Sequence, residues 1–105
     1  MPLFSPSMRY FEQVARHGSI HEAARRLNVA ASAVNRQILK LEEEMETPLF
    51  ERGPRGMRLT LAGQTVLLEV RRWFADAERM QNSLDAVRGL SSGVVRIATM
   101  GCFER

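Results

Sequence analysis

Amide and guanidinium side chains recur in two short stretches of this sequence, residues 31–40 and 52–58. Asn35 and Arg36 are adjacent in the first stretch, and such side chains form hydrogen bonds to adenine and to guanine or phosphate, respectively. The second stretch contributes three arginines: Arg52, Arg55 and Arg58. Both stretches therefore have the chemistry for binding base edges and phosphates, provided that the fold brings them to one surface.

The cations of the chain are unevenly distributed. Of the 15 Lys and Arg residues, all but Lys40 are arginine, which is favoured for planar, bidentate contacts to phosphate or guanine. The acidic residues Glu42–Glu44 and Glu46 stand together and leave residues 25–40 and 52–58 almost purely basic. The formal net charge of +3 and the pI near 10.0 are only mildly basic. Composition alone is therefore equally compatible with a nucleic-acid partner and with a solvated charged surface.

The sequence lacks patterns typical of catalysis or metal binding. His17 and His21 are four residues apart, but Gly18 and Ser19 interrupt the helix that a two-histidine zinc site would need. Cys102 is the only cysteine, which excludes an internal disulfide and a cysteine-based zinc cluster. There is also no phosphate-cradling loop and no nucleophile motif. We therefore expect no enzyme, no catalytic residue, no metal and no cofactor.

The length of 105 residues limits the chain to one small domain with an appendage. Hydrophobic residues make up 45% and charged residues 26%, which is typical of a globular protein and not of a disordered tail. No apolar run is long enough to span a bilayer, and residues 1–6 lack the features of a secretory signal. We expect a cytoplasmic protein with no membrane partner.

Two helices are predicted in the first part of the chain. Ser5 and Pro6 are typical of an N-cap and a first helical position, and Gly18 is typical of a helix end. Apolar residues at helical spacing mark the buried face of this first helix: Met8, Phe11, Val14 and Ala15. The segment Ser19–Glu22 has the pattern of a capping box, so a short second helix should follow and end at Asn28.

After Val29 and Ala30, a third helix is predicted that runs to about Glu46, with Pro48 beyond its end. Its buried side is apolar: Val34, Ile38, Leu41 and Met45. The opposite side near its start carries five residues: Ala31, Ser32, Asn35, Arg36 and Leu39. A short helix and a longer, outwardly polar helix joined by a tight turn are typical of a helix-turn-helix, whose second helix lies in the DNA major groove. A small helical bundle with an incidental polar face is the alternative.

Residues 49–59 are typical of a short β-hairpin with a glycine-rich tip at residues 53–56. Arg52, Arg55 and Arg58 lie on or beside this tip. Beside a helix-turn-helix, such a hairpin would be a basic wing whose guanidinium groups enter a minor groove or bind phosphates. A solubilising edge hairpin is the alternative. Phe50 is expected to be a core residue that ties the hairpin to the first helix.

Thr60 is a suitable N-cap for a last helix, predicted from Leu61 to Leu90. Apolar residues alternate along it at spacings of four and three, as in a coiled-coil dimerisation seam: Val66, Val70, Trp73, Ala77, Met80, Leu84 and Val87. This helix would be roughly 45 Å long, too long for one small domain to cover. We expect Leu67 and Phe74 to pack on the preceding domain while the seam pairs with a second chain. A helix folded back on its own chain is the alternative.

Four segments in this order resemble the LysR-type transcriptional regulators: AARRL at 23–27, AVNRQI at 33–38 with LE at 41–42, PLFER at 48–52 with Arg55, and LTLAG at 59–63. The resemblance covers about residues 8–100, and the ordered set is highly specific. The segments SSG at 91–93 and VVRIA at 94–98 are similar to the family's hinge and the first strand of its effector-sensing domain. The rest of that domain does not follow, and the sequence leaves open whether the chain is truncated or an unusually short product.

The expected fold is all-α with a small β-hairpin. A winged helix-turn-helix domain would occupy residues 3–60, with the helix-turn-helix motif at about 20–39 and the wing at about 49–60. A linker helix for dimerisation would follow at residues 61–90. Residues 91–105 would be the hinge and first strand of a truncated effector-binding domain.

The resemblance implies a bacterial regulator that binds an inverted repeat in double-stranded operator DNA as a homodimer or a higher oligomer, such as a tetramer. Arg36 would then make a major-groove contact, and Arg52 and Arg55 would make wing contacts. Four cations are weaker candidates for phosphate contacts: Arg25, Arg26, Lys40 and Arg58. A small-molecule effector is implied only through the missing domain, and RNA polymerase is a further partner to consider.

The chain departs from the family where its members usually have serine, glutamine and often proline, at Ala30, Ala31 and Ser32. Ala30 cannot cap the third helix through a side chain, which costs about 1 kcal/mol unless Ser32 or water substitutes. Ala31 can offer only a methyl group to a thymine methyl. Asn35, where serine or threonine is common, is longer and should read adenine more readily. These departures predict an operator preference unlike that of typical members.

Two other classes of protein fit parts of the sequence. A pure dimerisation module would explain the last helix but not the basic hairpin. A winged-helix regulator of another family would lack the PLF segment and the long helix that follows it. The operator, the target genes, activation or repression, the effector and the choice between dimer and tetramer are not determined by the sequence.

Overall fold

A computed structural model of the chain describes residues 5–92. Six elements follow one another in this range: α1 (Pro6–His17), α2 (Ile20–Leu27), α3 (Ala31–Met45), β1 (Phe50–Gly53), β2 (Gly56–Leu59) and α4 (Leu61–Ser92). The predicted fold class, helical with one small antiparallel hairpin, is confirmed. Helix α4 continues past its predicted last residue, Leu90, so Ser91 and Ser92 of the predicted hinge are helical. Gly93, the predicted strand at residues 94–98 and Cys102 lie outside the described residues.

The core lies among the first three helices, since α1 packs against both α2 and α3. Its largest fully buried side chains from these helices are Phe11, Val14, Val34, Ile38 and Leu41. Each such side chain contributes roughly 1.5–3 kcal/mol through its removal from water. The prediction that Met45 belongs to this core is wrong, because Met45 is 38% exposed in a last helical turn whose neighbouring residues are also exposed.

Local capping residues determine where the first three helices begin and end. Gly18, Asn28 and Glu46 each adopt the left-handed conformation directly after a helix. The Oγ of Ser19 accepts the N–H of Glu22 at 3.1 Å and so caps α2. The other half of the predicted capping box is wrong, because the Glu22 carboxylate binds arginines of its own helix instead. Ser5 stands at the N-cap of α1 without a side-chain cap bond.

The hairpin is tied to the helices at its first strand. The Oε2 of Glu42 on α3 accepts the N–H groups of Leu49 and Phe50 at 2.8 Å and 3.2 Å. The Phe50 ring lies 5.3 Å from the Phe11 ring of α1, so its predicted role as an anchor is confirmed. Phe50 also pairs with Leu59 across the antiparallel hairpin. The position of the wing is therefore coupled to α3 and to the core.

A second attachment joins the hairpin to the turn between α1 and α2. The N–H of Met57 donates to the carbonyl oxygen of Gly18 at 3.0 Å. Gly56 has a φ of +111°, and a Cβ at this position would collide with the same oxygen of Gly18. Only glycine fits here, because the backbone is left-handed and the neighbouring backbone is too close for a side chain.

Helix α4 begins at a cap that also fastens it to the hairpin. The Oγ1 of Thr60 accepts the N–H of Gly63 at 2.9 Å and donates to the carbonyl oxygen of Pro48 at 2.8 Å. On the side facing α1, the buried Glu12 carboxylate binds Arg71 of α4 at 3.3 Å and Arg16 of α1 at 2.9 Å. These polar contacts orient the first turns of α4 on the winged domain.

The chain divides into two compact units within α4, between Arg72 and Trp73. The sequence-based limits at residues 60 and 90 therefore stay predictions. Among the helices of the described range, no segment has the length and apolar character needed to cross a membrane.

Candidate nucleic-acid interface

The polar face of α3 is presented at the surface. Ser32, Arg36 and Lys40 are spaced by four residues and are all exposed, so they form one row along the helix. Ala31 and Asn35 lie beside this row and are half-buried. Val34, Ile38 and Leu41 are buried on the opposite side of α3, whereas Leu39 is 50% exposed. The structure thus brings together all the α3 residues that the sequence singled out.

The three arginines of the hairpin do not form a single cluster. All three are exposed, and Arg55 lies at the tip between the two strands. Arg52 pairs with Met57 across the hairpin, whereas Arg58 pairs with Glu51. Since cross-strand partners share a face and consecutive residues alternate, Arg52 and Arg58 lie on opposite faces. Arg52 is on the face towards α3, and Arg58 shares its face with a carboxylate.

A groove with a volume of about 410 Å³ lies between the starts of α2 and α3 and the hairpin. Ten residues line it: Ser19, Ile20, His21, Ala31, Ser32, Asn35, Arg52, Gly53, Gly56 and Met57. Six of these were not predicted from the sequence to bind: Ser19, Ile20, His21, Gly53, Gly56 and Met57. The sequence could have indicated Ser19, Ile20 and His21, because they stand at the N-terminal end of α2. This end of α2 faces the same groove as the first turn of α3.

One hydrogen bond crosses this groove. The Nη1 of Arg52 in β1 donates to the Oδ1 of Asn35 in α3 at 2.7 Å, over a sequence separation of 17 residues. Both side chains are at the surface of the groove. The structure therefore joins the first turns of α3 to the wing through two residues that the sequence assigned to separate contacts.

The cations differ in whether a carboxylate neutralises them. Glu22 binds Arg25 at 2.6 Å and Arg26 at 2.9 Å. Hydrogen bonds from these two guanidinium groups lower the pKa of Glu22 to about 2. In contrast, Arg36 and Lys40 form no ion pair within residues 5–92. Arg25 and Arg26 are thus already neutralised by a carboxylate, whereas Arg36 and Lys40 are not within the described residues.

The hairpin arginines likewise lack a carboxylate partner. Within the described part of the chain, neither Arg52, Arg55 nor Arg58 takes part in an ion pair. A surface with unneutralised guanidinium groups on both a helix and an adjoining hairpin suits a polyanion. In the same described range, no three His, Cys, Asp or Glu side chains are grouped so that they could hold a metal ion.

The predicted dimerisation seam on α4 is not uniform. In the first unit, Val66 is half-buried and Val70 is fully buried within the single chain. In the second unit, Trp73 is half-buried and Ala77 is buried. The remaining three residues are apolar and exposed: Met80 at 51%, Leu84 at 45% and Val87 at 56%. The prediction that Val70 and Ala77 face a second chain is thus not favoured, because little of either side chain is accessible.

Comparison with protein families gives a match across the winged domain. The family described as "Bacterial regulatory helix-turn-helix protein, lysR family" matches residues 6–64 of this chain. The chain belongs to the LysR family. The matched range includes α1, α2, α3, the hairpin and the first residues of α4. The family resemblance stated from the sequence motifs is therefore confirmed.

Curated relatives of this LysR family chain are transcriptional regulators. The HTH-type transcriptional regulator ClcR of Pseudomonas putida is 42% identical over 95 residues, which are 90% of this chain and 32% of the relative. The HTH-type transcriptional regulator CzcR of Bacillus anthracis is 38% identical over 94 residues, 89% of this chain and 32% of the relative. The chain spans about a third of the length of these relatives.

Solved structures similar to this LysR family chain include complexes with DNA. The DNA-binding domain of CbnR in a DNA complex is 34% identical, with a TM-score of 0.75 and coverage of 84% of this chain and 99% of that chain. The DNA-binding domain of BenM in a DNA complex is 30% identical, with a TM-score of 0.77 and coverage of 84% and 97%. These likenesses confirm the winged helix-turn-helix fold.

Proposed function

We propose that this chain binds double-stranded operator DNA in a sequence-specific manner and thereby regulates transcription. Helix α3 enters the major groove, and the hairpin acts as a wing on the backbone or in the minor groove. This proposal depends mainly on the exposed face of α3. Arg36 and Lys40 lie on this face and form no ion pair with a carboxylate within the described residues. The DNA complexes of the CbnR and BenM domains support it.

In this proposal the α3 and hairpin residues have different roles. Arg36 makes a base-edge contact, because its guanidinium is exposed in the same row as Ser32. Ser32 and Ala31 approach the bases at the start of the helix. Lys40, Arg55 and Arg58 bind phosphates, which position the domain without reading sequence.

We also propose that the regulator is a homodimer on an inverted repeat. Met80, Leu84 and Val87 are spaced by four and three residues, so they form one exposed apolar row on the second unit of the chain. A row of this kind is stabilised when a second helix covers it. Two-fold symmetry of the protein would then be matched by two half-sites in the DNA.

The proposal also covers the cellular location of the protein, its lack of enzymatic activity and its further partners. A DNA-binding regulator of this family acts in the bacterial cytoplasm, where the operator lies, and has no enzymatic activity of its own. A small-molecule effector is proposed to act through the part of the relatives that this chain does not span, since the chain covers about a third of their length. RNA polymerase is a proposed partner at the regulated promoter.

Selection from a random duplex library tests the DNA-binding proposal directly. The full chain is expected to enrich an inverted repeat. Gel-shift titration of that repeat should show log affinity falling linearly with log salt, with a slope of about −0.9 per phosphate contacted. Enrichment of no sequence, or an affinity that does not change with salt, would contradict the proposal.

The dimer is tested separately by Leu84→Asp, which places a charge in the exposed apolar row. Sedimentation of the wild type should give a dimer and that of the variant a monomer. Ser83→Asp adds the same charge at a neighbouring exposed residue outside the row and serves as the control. A wild-type monomer, or a Leu84→Asp dimer of unchanged affinity, would show that this row is not the interface.

A further inference from the structure

The hydrogen bond between Asn35 and Arg52 fixes which end of the Asn35 amide is free. A guanidinium group has five N–H donors and no acceptor, so the atom that Arg52 contacts must be the carbonyl oxygen of the amide. The 2.7 Å distance from Nη1 to Oδ1 is that of a short, charge-assisted hydrogen bond. The Nδ2 group of Asn35 is therefore the end left to bind a ligand in the groove.

This orientation changes the base that suits Asn35. An asparagine reads adenine with both ends of its amide, because Oδ1 accepts from the adenine amino group while Nδ2 donates to N7. Here the oxygen is shared with a cation, whose positive charge also disfavours the amino hydrogens of adenine. Guanine presents two acceptors, N7 and O6, at the corresponding positions. A surface made only of donors suits guanine better than adenine.

We propose that Asn35 and Arg52 together read one base, and we call this pair the reading unit. Arg52 donates to the Oδ1 of Asn35 and thereby changes the preferred base at that position from adenine to guanine. The proposal rests on the function proposed above, since it requires that α3 faces the bases. It assigns to Arg52 a positioning role in addition to any contact of its own with DNA. It also replaces the adenine preference that the sequence alone predicted for Asn35.

The geometry supplies a matched control within the hairpin. Arg55 lies at the tip, is exposed like Arg52 and makes no hydrogen bond to α3 among the described residues. Arg52→Ala and Arg55→Ala remove the same charge from the same hairpin. Only the first variant frees the oxygen of Asn35, so only the first should alter a base preference on α3.

The test is selection of duplexes by wild type, Asn35→Ala, Arg52→Ala and Arg55→Ala. The base pair at which Asn35→Ala loses its preference is the one that Asn35 reads. Wild type and Arg55→Ala should select guanine there, whereas Arg52→Ala should shift towards adenine by roughly tenfold in relative enrichment. Adenine in the wild type, the same base in wild type and Arg52→Ala, or no effect of Asn35→Ala would overturn the proposal.

A second measurement does not involve DNA. In the free chain, the side-chain amide signal of Asn35 in a ¹⁵N-correlated NMR spectrum should move in Arg52→Ala and stay in place in Arg55→Ala. The same spectra show whether each variant is folded. An unmoved signal in Arg52→Ala would overturn the reading unit while leaving the proposed DNA binding intact. Enrichment of no duplex by the wild type would instead refute the proposed function.

Discussion

Helices α2 and α3 both expose cations, but within residues 5–92 only those on α2 are paired with a carboxylate. Glu22 precedes Arg25 and Arg26 by three and four residues, so that all three side chains meet on one face of α2. Around Arg36, the positions three and four residues away on α3 hold no acid. Lys40 is followed by Glu43 and Glu44, but an acid placed after the cation is the less favourable order. Lys40 forms no ion pair in the described part of the chain.

The difference shows that counting cations does not locate a polyanion site. An arginine already bonded to a carboxylate must lose that partner or share it before it can bind a phosphate strongly. On α3 the guanidinium of Arg36 is exposed and unpaired within residues 5–92, so no such exchange is needed.

Arg36→Ala should weaken binding to the selected operator by about 1–3 kcal/mol, mostly through one base position. Arg25→Ala should have a much smaller effect, because Glu22 already neutralises that side chain. Both substitutions remove one exposed arginine, so a gel-shift titration compares them directly. Normal operator binding by Arg36→Ala would show that the face of α3 has been assigned wrongly.

Arg55→Ala should weaken binding to the operator and to unrelated duplexes to a similar extent. A phosphate contact carries no sequence information, so its loss should also reduce the salt slope by about 1. Titration of both duplexes at several salt concentrations checks this. A loss confined to the operator would mean that Arg55 reads bases.

Glu22→Gln should increase affinity for unrelated duplexes by a few fold, because it frees Arg25 and Arg26 while keeping the side-chain shape. The salt slope should steepen by about 0.9 for each arginine that gains a phosphate. Glu78→Gln removes one charge from an exposed residue of α4 and serves as the control. If the two variants bind alike, charge pairing is not what separates α2 from α3.

The smallest effect concerns pH. The pKa of Glu22 is about 2, below its ordinary value of 4.5, so its ion pairs contribute fully to stability above pH 4.5. This contribution should fall away as the pH drops from 4.5 through about 2. Because the pair is exposed, the change in unfolding free energy is small and NMR titration of the carboxylate is the better measurement. A midpoint near 4.5 in the wild type would contradict the pairing.

Much of the fold could be predicted because its boundaries depend on local residues. Pro6, Gly18, Ser19 and Asn28 each fix a helix end through their own backbone preference or a bond to a near neighbour. The hairpin tip at residues 53–56 follows from its glycines in the same way. The α3 face could also be predicted, since its helical spacing separates Val34 and Ile38 from the exposed residues.

Other features could not be predicted, because they depend on which elements pack together. Met45 continues the apolar spacing of α3, but the helix leaves the core before its last turn. Val70 fits the seam of α4 by spacing and yet is fully buried within one chain. The sequence does not indicate that Met45 is exposed or that Val70 is buried within one chain. The spacing of apolar residues shows on which side of a helix a residue lies, but not which element packs against that side.

The sequence by itself determined the family and the order of the elements, and it contains the side chains that we propose to bind DNA. These follow from capping, spacing and motif, which act over a few residues. The tertiary structure decided which of these side chains meet, above all Asn35 with Arg52 across 17 residues. That contact depends on how Glu42 and Phe50 hold the hairpin against α3, and no local pattern specifies this distance.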